Sequence, residues 1–324
     1  MSSRGVHSAM PESTQGTSLG ASDAMNGKRG LISGITAFTL WGLFPMYWHL
    51  LEAIPAQEII THRIVWSVVF LLPLVTYYKC WDEVKDALSH PSTFFRSLLS
   101  GMLVAGNWYL YVWAVNSGHV LETSLGYYIN PLMNVLTGAI FFRERLNRTQ
   151  MFAIGLATFG VLAMVIAYGQ VPWIGLGLAT LFAAYGLLRK AVKVNALPGL
   201  FVETLMVMPF AAGWLLWQAN HGLGALGHVS AFTTILVLGA GAVTSIPLLC
   251  FGYAARNLRL TTVGLLQYIT PTLAFIQGIF FFHETVSPAN MLTFGCIWLA
   301  LIVYTVDSWR HVRRVEPNSV IYKK

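Results

Sequence analysis

YINPLMNVLTGAIFFRERLNRTQMFAIG at residues 128–155 and YITPTLAFIQGIFFFHETVSPANMLTFG at residues 268–295 are two copies of one segment, 140 positions apart without a gap. Tyr128, Ile129, Pro131, Gly138, Phe141, Phe142, Glu144, Met151 and Gly155 recur as Tyr268, Ile269, Pro271, Gly278, Phe281, Phe282, Glu284, Met291 and Gly295. An internal repeat in an apolar chain is the mark of a membrane protein built from two structural halves. Which way the halves face decides the architecture.

The chain of 324 residues is 56% hydrophobic and 10% charged, where an ordinary soluble domain is about a quarter charged. Such a chain cannot cover a water-facing surface with polar groups. In lipid the backbone must satisfy itself as helices or a closed barrel. The apolar runs last about 20 residues, the span of a bilayer core, and do not alternate with period two, so helices are expected. The pattern gives ten transmembrane helices, at residues 31–51, 58–79, 98–117, 122–142, 148–168, 172–191, 198–219, 231–254, 261–281 and 288–308. Residues 1–27, polar and rich in Ser, Gly and Thr, read as a disordered tail; residues 28–169 and 170–309 form the two repeats, and 310–324 a basic tail. The first apolar run is long enough to remain a span rather than a cleaved signal. Cys80, Cys250 and Cys296 are scattered, with neither a metal pattern nor a disulfide framework.

The net charge of +7 could suggest nucleic acid, but its placement points to topology. With a cytoplasmic N-terminus, every Lys and Arg except Arg63 falls in a tail or an even-numbered connection. The connections hold Lys79, Lys85 and Arg96; Arg143, Arg145 and Arg148; Arg189, Lys190 and Lys193; Arg256 and Arg259. The positive-inside rule then places both termini in the cytoplasm.

Each repeat holds five spans, and an odd number of crossings turns the second copy upside down. The charges agree: Arg143-Glu144-Arg145-Leu146-Asn147-Arg148 corresponds to His283-Glu284-Thr285-Val286-Ser287-Pro288, where the glutamate persists and the arginines are gone. Weaker correspondences join Gly101 and Ala114 to Gly241 and Ala254, Phe38/Trp41/Gly42 to Phe182/Tyr185/Gly186, and Pro55/Thr61 to Pro198/Thr204. Inverted halves give two packings of similar energy and so a route to alternating access.

Further motifs are Trp41-Gly42 with Pro45, Glu58-Ile59 followed by Thr61-His62-Arg63 and Val65-Trp66-Ser67, Gly106-Asn107-Trp108, and Trp113-Ala114-Val115-Asn116. Others are Glu122 with Ser124-Leu125-Gly126-Tyr127, Ile129-Asn130-Pro131-Leu132, Pro247-Leu248-Leu249-Cys250-Phe251 and Gln267-Tyr268-Ile269 with Pro271-Thr272. On these residues the chain resembles the EamA-type repeat of the drug/metabolite transporter superfamily, and more narrowly its RarD group. Thr270 stands where that group leads one to expect glycine. The resemblance implies a secondary carrier of ten spans in two inverted halves in a bacterial inner membrane. It further implies a cavity lined by spans one, three, four, six, eight and nine.

Asn130-Pro131 and Thr270-Pro271 fall near the middle of spans four and nine. Each proline frees the carbonyl four residues back, at Tyr127 and Gln267, for a substrate or for a neighbouring helix. Neutral amides (Asn107, Asn116, Asn130, Asn134, Gln267) and aromatic rings (Trp41, Trp48, Trp66, Trp108, Trp113) would suit an amphiphilic, partly aromatic or zwitterionic metabolite. The candidate substrate-binding residues are Trp41, Asn107, Trp108, Asn116, Tyr127, Asn130, Pro131, Gln267, Tyr268 and Pro271; packing is the competing role for each.

Arg63 lies inside span two, where an arginine is costly unless partnered. Glu58 and Glu122 are its expected partners, with a gating or anion-attracting role; snorkelling to the headgroups is the alternative. His62 could titrate near neutral pH, and Glu122 complements the start of span four. Glu203, early in span seven, is either a proton-coupling carboxylate with a raised pKa or half of a buried pair. Glu144 and Glu284 read as structural groups at helix ends.

Gly222-Leu223-Gly224-Ala225-Leu226-Gly227 fits a dinucleotide fingerprint but has no preceding strand. The chain contains no P-loop, HExxH, GxSxG or CxxC, which removes ATP-driven pumping and familiar hydrolase chemistry. Asn147-Arg148-Thr149 falls in a cytoplasmic connection and is not expected to be glycosylated. The expected protein is a transporter, not an enzyme, without cofactor or metal. Its expected partners are a small-molecule substrate, the lipid bilayer and protons as coupling ion; it acts as a monomer or weak dimer. An intramembrane enzyme would need catalytic groups clustered at one face, and a sensor or scaffold an added domain; neither is evident.

Overall fold

The computed structural model describes the backbone of residues 13–281 and 287–315, with side chains described at 25–114, 117–119, 122–281 and 287–307. Every regular element among them is an α-helix: α1 Ser13–His49, α2 Ala56–Tyr77, α3 Trp81–Ser89, α4 Pro91–Asn116, α5 Val120–Phe141 and α6 Arg148–Tyr168, followed by α7 Trp173–Ala191, α8 Ala196–Asn220, α9 Ala231–Asn257, α10 Leu260–Gln267, α11 Ile269–Phe280 and α12 Pro288–Val315. Eight stretches are long and apolar enough to cross a membrane: Met25–His49 of α1, then α2, α6, α7, α8 and α9, Leu260–Phe280 across α10 and α11, and Pro288–Asp307 of α12. Bulky side chains such as Phe210, Ile166, Ile235 and Phe280 point outward from these helices. That surface would be insoluble in water and is at home in lipid. The protein is an all-α polytopic membrane protein.

α4 and α5, of 26 and 22 residues, have the length to cross but are not among those eight. Their hydropathy is lowered by the polar residues they carry, Asn107, Tyr109 and Tyr111 on one and Tyr127, Tyr128, Asn130 and Asn134 on the other. Polar groups inside a bundle mark function more often than they mark a loop. The short α3 was not expected: Val84 and Ala87 bury its apolar side, and the Trp81 ring meets Phe201 of α8 edge-on with centroids 5.8 Å apart. α1 reaches back to Ser13, into the stretch expected to be a disordered tail. Extending an existing helix costs far less than nucleating one.

Local chemistry sets several boundaries. At the start of α6 the Asn147 side chain accepts from the Gln150 N–H at 2.8 Å while the Gln150 side chain accepts from the Asn147 N–H at 3.3 Å, a capping box. Gly169 ends the same helix at φ +82°, a conformation that favours glycine. The two repeat prolines behave differently. α5 runs unbroken through Pro131, whereas the stretch Leu260–Phe280 breaks between Gln267 and Ile269, where Pro271 removes the hydrogen bond to the Gln267 carbonyl.

Helices α1–α6 pack chiefly on helices α7–α12. α1 lies on α9 and α4 on α7; α5 lies on α7, and α1 on α10 and α11; α2 packs on α9 and α4 on α8. α2 meets α8, α5 meets α10, and α6 meets α12. At the centre Phe38 and Trp41 of α1 and Phe182 and Tyr185 of α7 surround Phe251, with centroid separations of 5.1 to 6.2 Å to that ring. Two glycines allow close crossings. A Cβ on Gly241 would overlap the Trp66 carbonyl, and one on Gly101 would lie 2.9 Å from the Glu203 carbonyl oxygen.

Candidate functional site

Arg63 sits about two turns into α2. Its Nε–H donates to Thr244 Oγ1 of α9 at 2.8 Å, and its guanidinium carbon lies 4.8 Å from the ring centre of Trp48 and 4.6 Å from that of Trp108. Tyr111 and Tyr127, with rings 6.2 Å apart, stand near enough to feel its charge. The expected pairing with Glu58 or Glu122 does not form. Glu58 Oε1 accepts from the Ala225 N–H and lies 3.5 Å from His62 Nε2. Residues 58 and 62 share one helix face, and 63 is turned about 100° away from 62. Glu122 Oε2 accepts from the Ile174 N–H at 3.0 Å, capping the start of α7. His62 Nδ1 has no hydrogen-bonding partner among the described residues. His62 and Glu58 line a cavity of about 280 Å³ that also touches Trp66 and His228.

Glu203 is not solitary. Arg189 Nη1 donates to its Oε1 at 3.0 Å, with the two side chains 2% and 4% exposed. Arg189 Nη2 donates to the Ala196 carbonyl at 3.1 Å, and the Tyr185 hydroxyl lies 3.5 Å from Glu203 Oε2. This corrects the placement of Arg189 in a connecting loop: it belongs to the last turn of α7 and is buried. Arg63 is therefore not the single arginine within the apolar helices. Gly199 and Gly252 make room for the guanidinium, since a Cβ on either would come within 2.5 and 2.6 Å of its nitrogens.

The expected proline region forms the α5–α10 crossing. Asn134 Nδ2 donates to Gln267 Oε1 at 2.6 Å, and the Pro131 carbonyl faces Gly264, whose Cβ would lie 2.5 Å from it. Asn130 is buried with its Oδ1 unpartnered among the described residues. Tyr268 is fully buried, its hydroxyl 3.4 Å from the Tyr128 carbonyl, and Pro271 is buried in α11. Asn107 donates to the Leu178 carbonyl of α7 at 2.9 Å, so its amide ties two helices. Trp41 belongs to the central aromatic cluster, 5.6 Å from Phe182. The side chain of Asn116 lies outside the described residues. The structure thus separates the candidates: Trp108 and Tyr127 gather at Arg63, and Asn130, Pro131, Gln267 and Tyr268 at the crossing. Trp41 and Asn107 hold helices together.

Sequence reasoning missed Trp48 as a wall, and Thr244 and Tyr111 altogether. A polar Thr244-Ser245 pair inside the apolar α9 was the available signal.

At the helix ends Glu144 acts structurally, as expected. Its carboxylate accepts from the N–H groups of Leu260 and Thr261 at 2.7 and 2.9 Å and from the Thr261 hydroxyl at 2.7 Å, and it lies 3.4 Å from Lys190 Nζ. Burial pushes the carboxyl pKa up, but the Thr261 N–H and hydroxyl, the Leu260 N–H and the Lys190 charge outweigh it and hold it below the usual range. Glu284 lies outside the described residues.

The model of the EamA-like transporter family matches residues 28–166. An uncharacterized transporter of Pseudomonas aeruginosa is 46% identical over 90% of this chain and 97% of its own length, and protein RarD of Salmonella typhi is 44% identical over 88% and 97%. The chain belongs to the RarD group of the EamA family. A crystal structure 17% identical overlays with a TM-score of 0.67, covering 86% of this chain and 97% of its own, which supports the fold. A member of this family is a membrane transporter with a small-molecule substrate, integral to the bacterial membrane.

Proposed function

We propose that the chain is a secondary carrier that moves a small organic metabolite or drug-like molecule across the bacterial inner membrane by alternating access. Its ten spans form two inverted halves, residues 28–169 and 170–309, with both termini cytoplasmic. The observation that carries this reading is the reciprocity of the helix contacts. α1 on α9 corresponds to α4 on α7, α5 on α7 to α1 on α11, and α2 on α9 to α4 on α8, while α2–α8, α5–α10 and α6–α12 pair with themselves. Halves joined by such exchangeable contacts can rock between two equivalent packings around a central site. The repeat glycines Gly101 and Gly241 lie at corresponding crossings, α4 on α8 and α2 on α9.

Substrate contacts in this reading come from the Arg63 group with Trp108 and Tyr127, and from Asn130 and the carbonyls around Pro131 and Gln267. Protons are the coupling ion. His62 faces Glu58 at 3.5 Å on a cavity wall, whereas the charge of Glu203 is neutralised by Arg189, so His62 is the better coupling group. The carrier works as a monomer or weak dimer. The test is uptake of a labelled metabolite panel into proteoliposomes with and without a pH gradient. Gradient-stimulated accumulation is expected. Absence of flux for every compound, together with turnover of a lipid substrate, would replace the carrier by an intramembrane enzyme.

A further inference from the structure

Arg63 presents an unbalanced positive charge to the interior of the bundle. Its guanidinium has five N–H donors, of which the described residues engage one, at Thr244. No acidic side chain among the described residues lies within ion-pairing distance: Glu58 is held by Ala225, and Glu122 by Ile174. The residue as a whole is partly buried. Trp48 and Trp108 cover the guanidinium with their faces, which softens the cost of an apolar setting without supplying an anion. An arginine held in this way is a preformed half of an ion pair.

We infer that Arg63 binds the carboxylate of a monoanionic, partly apolar substrate, the carboxylate lying in the plane of the guanidinium between the Trp48 and Trp108 rings. This rests on the carrier reading for its consequence, transport, but not for the binding itself. The single cation balances one charge, and the described residues around it offer neutral hydroxyls, among them those of Thr244, Tyr111 and Tyr127. A doubly charged phosphate would be left half neutralised. The planar fork of an arginine matches a carboxylate with two parallel hydrogen bonds. The indole and phenol walls suit an apolar body attached to that carboxylate.

The experiment uses the purified full chain in detergent, with 3-phenylpropionate, indole-3-acetate and hexanoate set against their primary amides. Inorganic phosphate and chloride serve as further arms, and the readout is the ligand-induced rise in melting temperature. At least one carboxylate is expected to stabilise the protein while its amide does not. Arg63→Gln is expected to weaken that carboxylate about thirtyfold or more, and Arg63→Lys to keep part of the preference. Phosphate and chloride are expected to give no comparable shift. Equal binding of acids and amides overturns the inference, as does absence of any carboxylate-selective binding, a site filled preferentially by phosphate, or an unchanged preference in Arg63→Gln. The acid–amide comparison uses the unaltered protein, so it stands even if a variant fails to fold. Selective binding without flux in proteoliposomes would remove the carrier and keep the site. Flux that ignores both substrate charge and Arg63→Gln would keep the carrier and remove the site.

Discussion

Arg63 and Arg189 both lie within apolar helices of this protein, and they are satisfied in opposite ways. Arg189 in α7 meets a carboxylate, a backbone carbonyl and two glycines cleared to receive it, and is 2% exposed. Arg63 in α2 meets two indole faces and one hydroxyl. Both are costly to place in a membrane. The cost at Arg189 is offset within the fold, and that pair joins the end of α7 to α8. The cost at Arg63 is offset only in part, leaving capacity for an anion from outside. A complete ion pair fixes structure; an incomplete one is where the inferred carboxylate would enter.

The largest effect expected follows from the completed pair. Replacing Arg189 with methionine or Glu203 with leucine leaves a buried charge alone and is expected to cost about 3–5 kcal/mol, whereas Arg189→Met with Glu203→Leu together should recover most of it. Thermal unfolding of the three variants in one detergent measures this as a double-mutant cycle. Equal losses in single and double variants would mean that the pair is incidental.

The next effect concerns the room made for that guanidinium. Gly252→Ala places a Cβ against Arg189 Nη2 and is expected to destabilise by about 1–3 kcal/mol. The same change in the Arg189→Met/Glu203→Leu background should cost much less, since the clash is gone. A cost that persists there would place the constraint on the α9 backbone instead.

A smaller effect is expected at the surface end of the bundle, where Glu144 caps α10. Its folded pKa is depressed, so its stabilisation is fully present above the ordinary carboxylate range and is lost as pH falls through the lowered value. Glu144→Gln is expected to cost about 1 kcal/mol at about pH 7 and to lessen the fall in stability toward about pH 3. Melting curves across that range decide it; an unchanged acid limb would assign the pH dependence to other carboxylates.

The fold was legible in the sequence where local chemistry repeats itself. The correspondence of Phe38 and Trp41 with Phe182 and Tyr185 was weak in sequence, yet these residues meet on one ring, Phe251. The apolar run read as 148–168 coincides with α6, whose ends carry a capping box and a left-handed glycine. α3 was hidden because its apolar side is only two or three residues wide inside a charged connection.

The site was legible in its residues but not in its pairings. Arg63 was picked out by its position in lipid, but its partner Thr244 comes from 181 positions away, beyond the reach of any spacing rule. Arg189 was misplaced because a count of basic residues by connection assigns any arginine near a helix end to the loop. Its carboxylate lies across the turn in the next helix, 14 positions on. Asn107 and Trp41 were chosen for chemistry that suits a ligand and are spent on a helix carbonyl and an aromatic cluster.

The most direct test of the difference between the two arginines is the melting temperature of Arg63→Gln against that of Arg189→Gln, each purified in the same detergent without added ligand. Arg189→Gln should strand Glu203 and lose several kcal/mol, about 3 or more, whereas Arg63→Gln should stay within about 1 kcal/mol of the unaltered protein. Equal losses, or a larger loss at Arg63, would contradict the division into a structural pair and a site held open for an anion.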